Sequence, residues 1–166
     1  EKLRQEVAKL GLENFSLEIF KGSRSNIAAL GLDIKVGPQE EHHRHFSDIR
    51  KMIGTSPLGG RVQEISLAIF QRLAEAEAKV HGQKVEEVHF HEVGAVDAIV
   101  DVCGAAVAMD LLGWPRVVAP PPELGHGLVQ TAHGRLPVPP PAVLEILRGV
   151  PVRPGGPPGE AVTPTG

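Results

Sequence analysis

The chain has 166 residues, 42% hydrophobic and 22% charged, ordinary values for a soluble globular protein and enough for one sizeable core. Seventeen basic and 20 acidic side chains give a net charge of -3, which removes any general basis for wrapping nucleic acid. The most apolar stretch, 98–113, is interrupted by Asp101 and Asp110 and is too short to cross a bilayer, so a membrane span is excluded.

Leu3, Val7 and Leu10 follow a helical spacing that Gly11 can end, so the chain is expected to begin inside an element, with sequence upstream of Glu1. Phe15, Leu17 and Ile19 then alternate with polar residues, as do Leu30, Leu32, Ile34 and Val36 with Gly31, Asp33 and Lys35. Two antiparallel strands follow from this, with the polar stretch KGSRSN at 21–26 predicted as a loop longer than a tight hairpin. GPQEEHHRHF at 37–46 has no apolar periodicity and reads as an exposed loop.

Ser47 and Asp48 can cap a short helix, and Ser56 followed by Pro57 predicts the start of a second. On that second helix Val62, Ile65, Ile69, Leu73, Ala76 and Val80 form an apolar stripe, and Gly82 ends it. Residues 88–92 are predicted extended and 95–112 helical, with Gly113 and Pro115 as stop signals. Thirteen of the fifteen prolines fall at or beyond Pro115, so the last third should hold strands, stiff loops and one helix near 142–148. The expectation is a single α+β (mixed α/β) domain over 1–166. It has an antiparallel strand pair near the N-terminus, helices packed on a mixed sheet and a Pro-rich C-terminal third.

Cys103 is the one cysteine, so a disulfide framework or a CxxC zinc site cannot form within one copy. A cytoplasmic location is the simplest reading, and a metal would have to use nitrogen and oxygen. VHFHEVGAVDAIVD at 88–101 supplies both: on a strand His89 and His91 share one face, while Val88 and Phe90 take the other. Imidazole suits nickel, zinc, copper and iron, so two on one face make half a site, and Glu92 adds a carboxylate. Gly94 allows a sharp turn, after which Asp97 and Asp101 lie four apart on one helical face, as ligands or as partners for a ligand's second nitrogen. EEHHRH at 40–45 adds His42, His43 and His45, so most of the eight histidines sit in two compact clusters.

A structural account exists beside the metal one. Asp97 in a first helical turn is favoured by the helix dipole, and histidines on an exposed strand face need no metal. The glutamate follows the second histidine, so this is not the HExxH of zinc proteases, and neither GxxxxGK[ST] nor GxGxxG occurs. His81, in the last turn of its helix, reads as a dipole partner, and Cys103 as a small apolar side chain. The glycines of GHG at 125–127 read as turns.

VHFHEVGAVDAIVDVCGAAVAMDLLG, TAHGRLPVPPPAVLEILRGVPV and GEAVTPTG resemble the LarC family of nickel insertion proteins, as do EEHHRHFSDI and RVQEISLAIFQRLAEAEAKVHG, all in the family's order. The resemblance implies a nickel chelatase (a lyase) that inserts Ni²⁺ into pyridinium-3,5-bisthiocarboxylic acid mononucleotide. That reaction uses CTP hydrolysis and a supporting Mn²⁺ or Mg²⁺, and completes the nickel-pincer nucleotide cofactor of lactate racemase and similar enzymes. It makes His42, His43, His45, His89, His91, Glu92, Asp97 and Asp101 the metal candidates, and Glu92, Asp97 and His133 the catalytic ones.

The expected partners are a small-molecule nucleotide and a lactate racemase-type apoenzyme, with a homo-oligomer among the options and neither nucleic acid nor membrane. The family's opening CFSGISGDM-like segment and its C-terminal domain are not in this sequence, so the chain is expected to be a fragment that does not bind CTP alone. His126 stands where a small residue is expected between two glycines and inherits no role. The rival readings are a non-enzymatic carrier or store of divalent metal and a structural assembly domain.

Overall fold

The computed structural model describes residues 1–37, 44–90, 93–131 and 133–166. The first helix, α1 (Lys2–Ala8), buries Val7 with Leu10 just beyond it, and Gly11 at φ 66° turns the chain as expected. The Arg4 guanidinium donates through Nε and Nη2 to the Leu17 carbonyl at 3.0 and 2.7 Å, tying α1 to the strand that follows.

That strand, β1 (Phe15–Arg24), pairs antiparallel with β2 (Ile27–Val36), from Phe15 opposite Val36 to Arg24 opposite Ile27. The expected long loop at 21–26 is corrected to a two-residue turn at Ser25 and Asn26, with φ of 50° and 63°. Two positive φ angles fit the right-handed twist of paired strands, and asparagine tolerates that conformation. The polar side chains of 21–24 do not end the strand, because the ladder is made by backbone groups and the ribbon's outer part faces water.

A short strand β3 (Arg44–His45) leads into α2 (Phe46–Thr55), and the Asp48 carboxylate accepts from the His45 backbone N–H at 3.1 Å. The helix therefore starts ahead of the expected Ser47 cap, with Asp48 holding its first turn. The next helix, α3 (Gly60–His81), begins after Pro57 rather than at it. Ser56 before the proline is extended, as its steric demand requires, and the Gln63 amide donates to the carbonyls of Ile53 and Ser56 at 3.1 and 2.7 Å, stapling α2 to α3. Its C-terminus closes as predicted, with Gly82 left-handed at φ 64°.

The buried face of α3 runs through Val62, Ser66, Phe70, Leu73, Ala74, Ala76 and Ala78. Val62, Leu73 and Ala76 of the predicted stripe are buried as expected, while Ile65 and Ile69 flank the face and Val80 is exposed, because small residues on it let neighbouring helices approach. A 3-10 turn, Val85–Glu87, leads to β4 (His89–Phe90), which pairs antiparallel with β3. Then α4 (Val96–Leu111) packs on α1 and α3 and buries Ile99, Val100, Cys103 and Val107. Burial pushes the Cys103 thiol up to about 11, partly offset by the Ser66 hydroxyl, so this sulfur stays a protonated apolar filler.

The C-terminal third contains a hairpin, β5 (Leu128–Thr131) and β6 (Gly134–Pro137), and α5 (Pro141–Ile146), which docks on α3. Its loops are fastened by backbone bonds: Leu124 and Arg153 face each other through Leu124 N–H to Arg153 O at 2.9 Å, and Gly159 N–H reaches His126 O at 2.9 Å. Gly125 is required by this packing, since a Cβ there would lie 1.8 Å from the Gly159 carbonyl oxygen. The architecture is α+β with the N-terminal strand pair as expected. Among the described residues the strands form three separate two-stranded antiparallel sheets, and the helices pack chiefly on one another rather than on one mixed sheet. Strands of two and four residues, the last of them ending at Pro137, offer too little ladder to merge.

Candidate metal centre and an adjoining cavity

Strand register brings one histidine of each cluster together. His45 of β3 lies directly opposite His89 of β4, and their rings sit 4.6 Å apart between centroids at 73°, edge to face. Their neighbours do the anchoring. Phe90 is buried and meets Phe46 and Phe70, each at 6.3 Å between ring centroids, so the apolar side of β4 is locked into the core while His89 is only half-buried. Beyond β4 the turn is closed by the Arg44 Nη1 donor on the Gly94 carbonyl at 2.9 Å. Gly94 is needed for close approach: an added Cβ would sit 2.9 Å from the Phe90 carbonyl oxygen and 3.3 Å from that of Arg44.

The 4.6 Å separation and 73° angle of the His45 and His89 rings are those of an ordinary edge-to-face ring contact, and they put the two imidazoles beside each other at the strand junction. Asp97 and Asp101 both project from the exposed face of α4, with the Asp97 Oδ1 accepting from the Ala98 N–H at 2.8 Å. Partial burial, and secondarily the Asp97 charge, raise the Asp101 carboxyl above its ordinary value, so the two carboxylates feel each other. Among the described residues no set of three or more His, Cys, Asp or Glu side chains is gathered into a metal cage. The candidates His42, His43, His91 and Glu92 lie outside the described residues.

His133 is placed elsewhere. It meets His81, their rings 4.9 Å apart at 48°, on the wall of a cavity of about 380 Å³ between the end of α3, the β5–β6 hairpin and the start of α5. His81 was expected only to complement its helix dipole; its Nε2 also lies 3.3 Å from Glu77 Oε2, one turn earlier. The i,i+4 spacing of Glu77 and His81 is the signal that could have marked this pair from the sequence. None of His45, His89, Asp97 and Asp101 is among the cavity's described lining. His126 contributes to neither place: its Nδ1 lies 3.1 Å from the Gly156 carbonyl, which an Nδ1–H tautomer satisfies, and so it fastens the C-terminal loop.

Fold and site define an α+β protein that presents paired imidazoles at a strand junction, with no described helix long and apolar enough to cross a membrane. The chain belongs to the nickel insertion protein family, whose model it matches over residues 1–166. It is 51% identical over 168 residues to the "Putative nickel insertion protein" of Geotalea uraniireducens (strain Rf4), covering 99% of this chain and 42% of that one. The protein of the same description from Geotalea daltonii is 49% identical, covering 100% and 43%. That of Geobacter metallireducens is 54% identical over 155 residues, covering 92% and 39%. The chain thus spans less than half the length of these curated relatives. No solved structure matches it.

Proposed function

We propose that this chain is the nickel-handling part of a chelatase that inserts Ni²⁺ into pyridinium-3,5-bisthiocarboxylic acid mononucleotide, in the cytoplasm, for lactate racemase-type apoenzymes. The observation that carries the reading is the cross-strand pairing of His45 with His89 in a chain that the family model matches over residues 1–166. In this scheme the two imidazoles take Ni²⁺ with help from His42, His43, His91 and Glu92, while Asp97 and Asp101 add negative charge on the exposed face of α4. Imidazole and carboxylate hold nickel firmly enough to capture it and yield it to softer sulfur donors. As the nickel–carbon bond forms, the pyridinium carbon loses a proton, for which Glu92 and Asp97 are the candidate acceptors; His133, on the separate cavity wall beside His81, is set aside for this step. Ni²⁺ enters as a substrate and is consumed. The cavity holds no Lys or Arg among its described lining residues, so it does not suit a triphosphate. CTP and its Mn²⁺ or Mg²⁺ are accordingly assigned to the longer family chain.

Full-length protein incubated with the bisthiocarboxylate nucleotide, Ni²⁺ and CTP should form the nickelated nucleotide. A protein that retains nickel but yields no such product under any nucleotide condition is a carrier instead. In titration calorimetry His45→Ala/His89→Ala should weaken nickel binding by at least about tenfold, and equal uptake by parent and variant would remove the strand site.

A further inference from the structure

The β1–β2 ribbon carries apolar side chains that the core does not use. Its register puts Leu17, Ile19 and Lys21 on one face with Ile34, Leu32 and Leu30. At the base of that face Leu17 is buried and Ile34 packs against the core, but farther out Ile19, Leu32 and Leu30 are open to water, Leu30 to 72%. The two edges of the ribbon differ in charge. β1 spaces Glu18, Lys21 and Arg24 along its length, which discourages a further strand, whereas β2 runs IAALGL from 27 to 32 without a charge or a proline. Among the described residues no strand pairs with that second edge.

A second copy of the same ribbon complements it. When two β2 strands pair antiparallel about a two-fold axis at Leu30, Ala28 lies opposite Leu32 and Ala29 opposite Gly31, so Leu32 falls beside a small residue on each side of the axis. A groove of about 400 Å³ bordered by Ala28, Ala29 and Leu30 has room for it. The same register sets the partner's Asp33 opposite Ile27, so that on the other face Arg24 at one tip shares a row with Asp33 and Glu18 at the base of the other ribbon. With neighbouring strands about 4.8 Å apart, Arg24 and the partner's Asp33 are separated by about 10 Å along that row, a span that an extended arginine and an aspartate can close. The two-fold axis makes this basic-to-acidic match twice.

We propose that the β2 edge pairs with the β2 edge of a second copy of this chain, giving a four-stranded antiparallel sheet in which the face of Ile19, Leu30 and Leu32 is continuous. The surface does not depend on the nickel reading. Sedimentation equilibrium of the chain should show a reversible dimer below about 100 µM. Leu30→Lys and Leu30→Glu each bring like charges together on the axis and should raise the dimer dissociation constant at least about tenfold. An equimolar mixture of the two variants should restore a heterodimer, which neither a misfolded chain nor a remote effect would do. In the full-length protein Leu30→Cys should be cross-linked to its counterpart by a short bismaleimide, while Leu112→Cys, equally exposed at the end of α4, should not. A monomeric parent, unchanged dimerisation in both charge variants, or a mixture that stays monomeric overturns the proposal. So does a full-length protein in which Leu30→Cys gives no cross-link, the edge then being covered by another segment of the longer chain, or one in which Leu112→Cys cross-links equally.

Discussion

Two pairs of histidines are assembled by different means. His45 and His89 meet because two short strands pair in a fixed register, and the residue beside each on the chain, Phe46 and Phe90, is buried in the core. His81 and His133 meet because a helix end and a hairpin are held side by side, with polar clamps between α3 and α5 nearby. The first pair therefore inherits the stability of the core, whereas the second depends on how firmly the C-terminal third is docked. Substitutions that separate these two dependences test the difference.

The largest effect is expected at Phe90. Its ring fills the space between Phe46 and Phe70, so Phe90→Ala leaves a cavity at the junction of α2, α3 and β4 and should cost about 3–5 kcal/mol, read from denaturant unfolding. Nickel binding should fall with the fold. A variant with an unshifted midpoint would mean that β4 is not anchored through its apolar side. Gly94→Ala comes next: the new methyl group meets backbone atoms of Phe90 and Arg44, which cannot swing aside as a side chain could. Destabilisation of about 1–3 kcal/mol is expected, with nickel affinity reduced and the His81–His133 cavity unaffected. A Gly94→Ala variant with unshifted stability and undiminished nickel affinity would mean that the close approach to Phe90 and Arg44 is not needed.

How far the sequence reveals this follows from the same contrast. The alternation Val88, His89, Phe90 marks a strand whose faces differ, and the structure buries Val88 and Phe90 as that pattern demands. Helix ends at Gly11, Gly82 and Gly113 are legible because each needs a positive φ, at 66°, 64° and 75°. The partner of His89 is not legible, because cross-strand register between residues 44 apart is a tertiary fact that no local pattern encodes. For the same reason His81 looks like an ordinary helix-terminal histidine until the β5–β6 hairpin is laid against it. The tight turn at Ser25 and Asn26 is not legible, because the polar run before it resembles a loop although its backbone pairs as far as Arg24 opposite Ile27.

The smallest effect concerns the clamp that holds α5. The Glu145 carboxylate accepts from Arg148 on its own segment at 2.6 Å and from Lys79 of α3 at 2.7 Å, while Arg72 of α3 donates to the Ile146 carbonyl at 2.9 Å. Arg148 first, and then Lys79, lower the Glu145 pKa from 4.5 to about 2. A carboxyl whose pKa is depressed by folding favours the folded state once both forms are ionised, and loses that contribution when protonated. The stabilisation should be complete above pH 4.5 and fade as pH falls toward about 2, so the midpoint difference between parent and Glu145→Gln should narrow across that window. Because Lys79 and Arg148 are largely exposed, raising salt toward about 1 M should shrink the difference at neutral pH as well. Pro141 and Ala142 at the start of α5 line the cavity, so Glu145→Gln should loosen α5 beside it, read as faster amide hydrogen exchange in α5, while leaving nickel binding at His45 and His89 unchanged. Nickel binding lost as well would mean that α5 docking supports the whole molecule, and that the two histidine pairs share one scaffold after all.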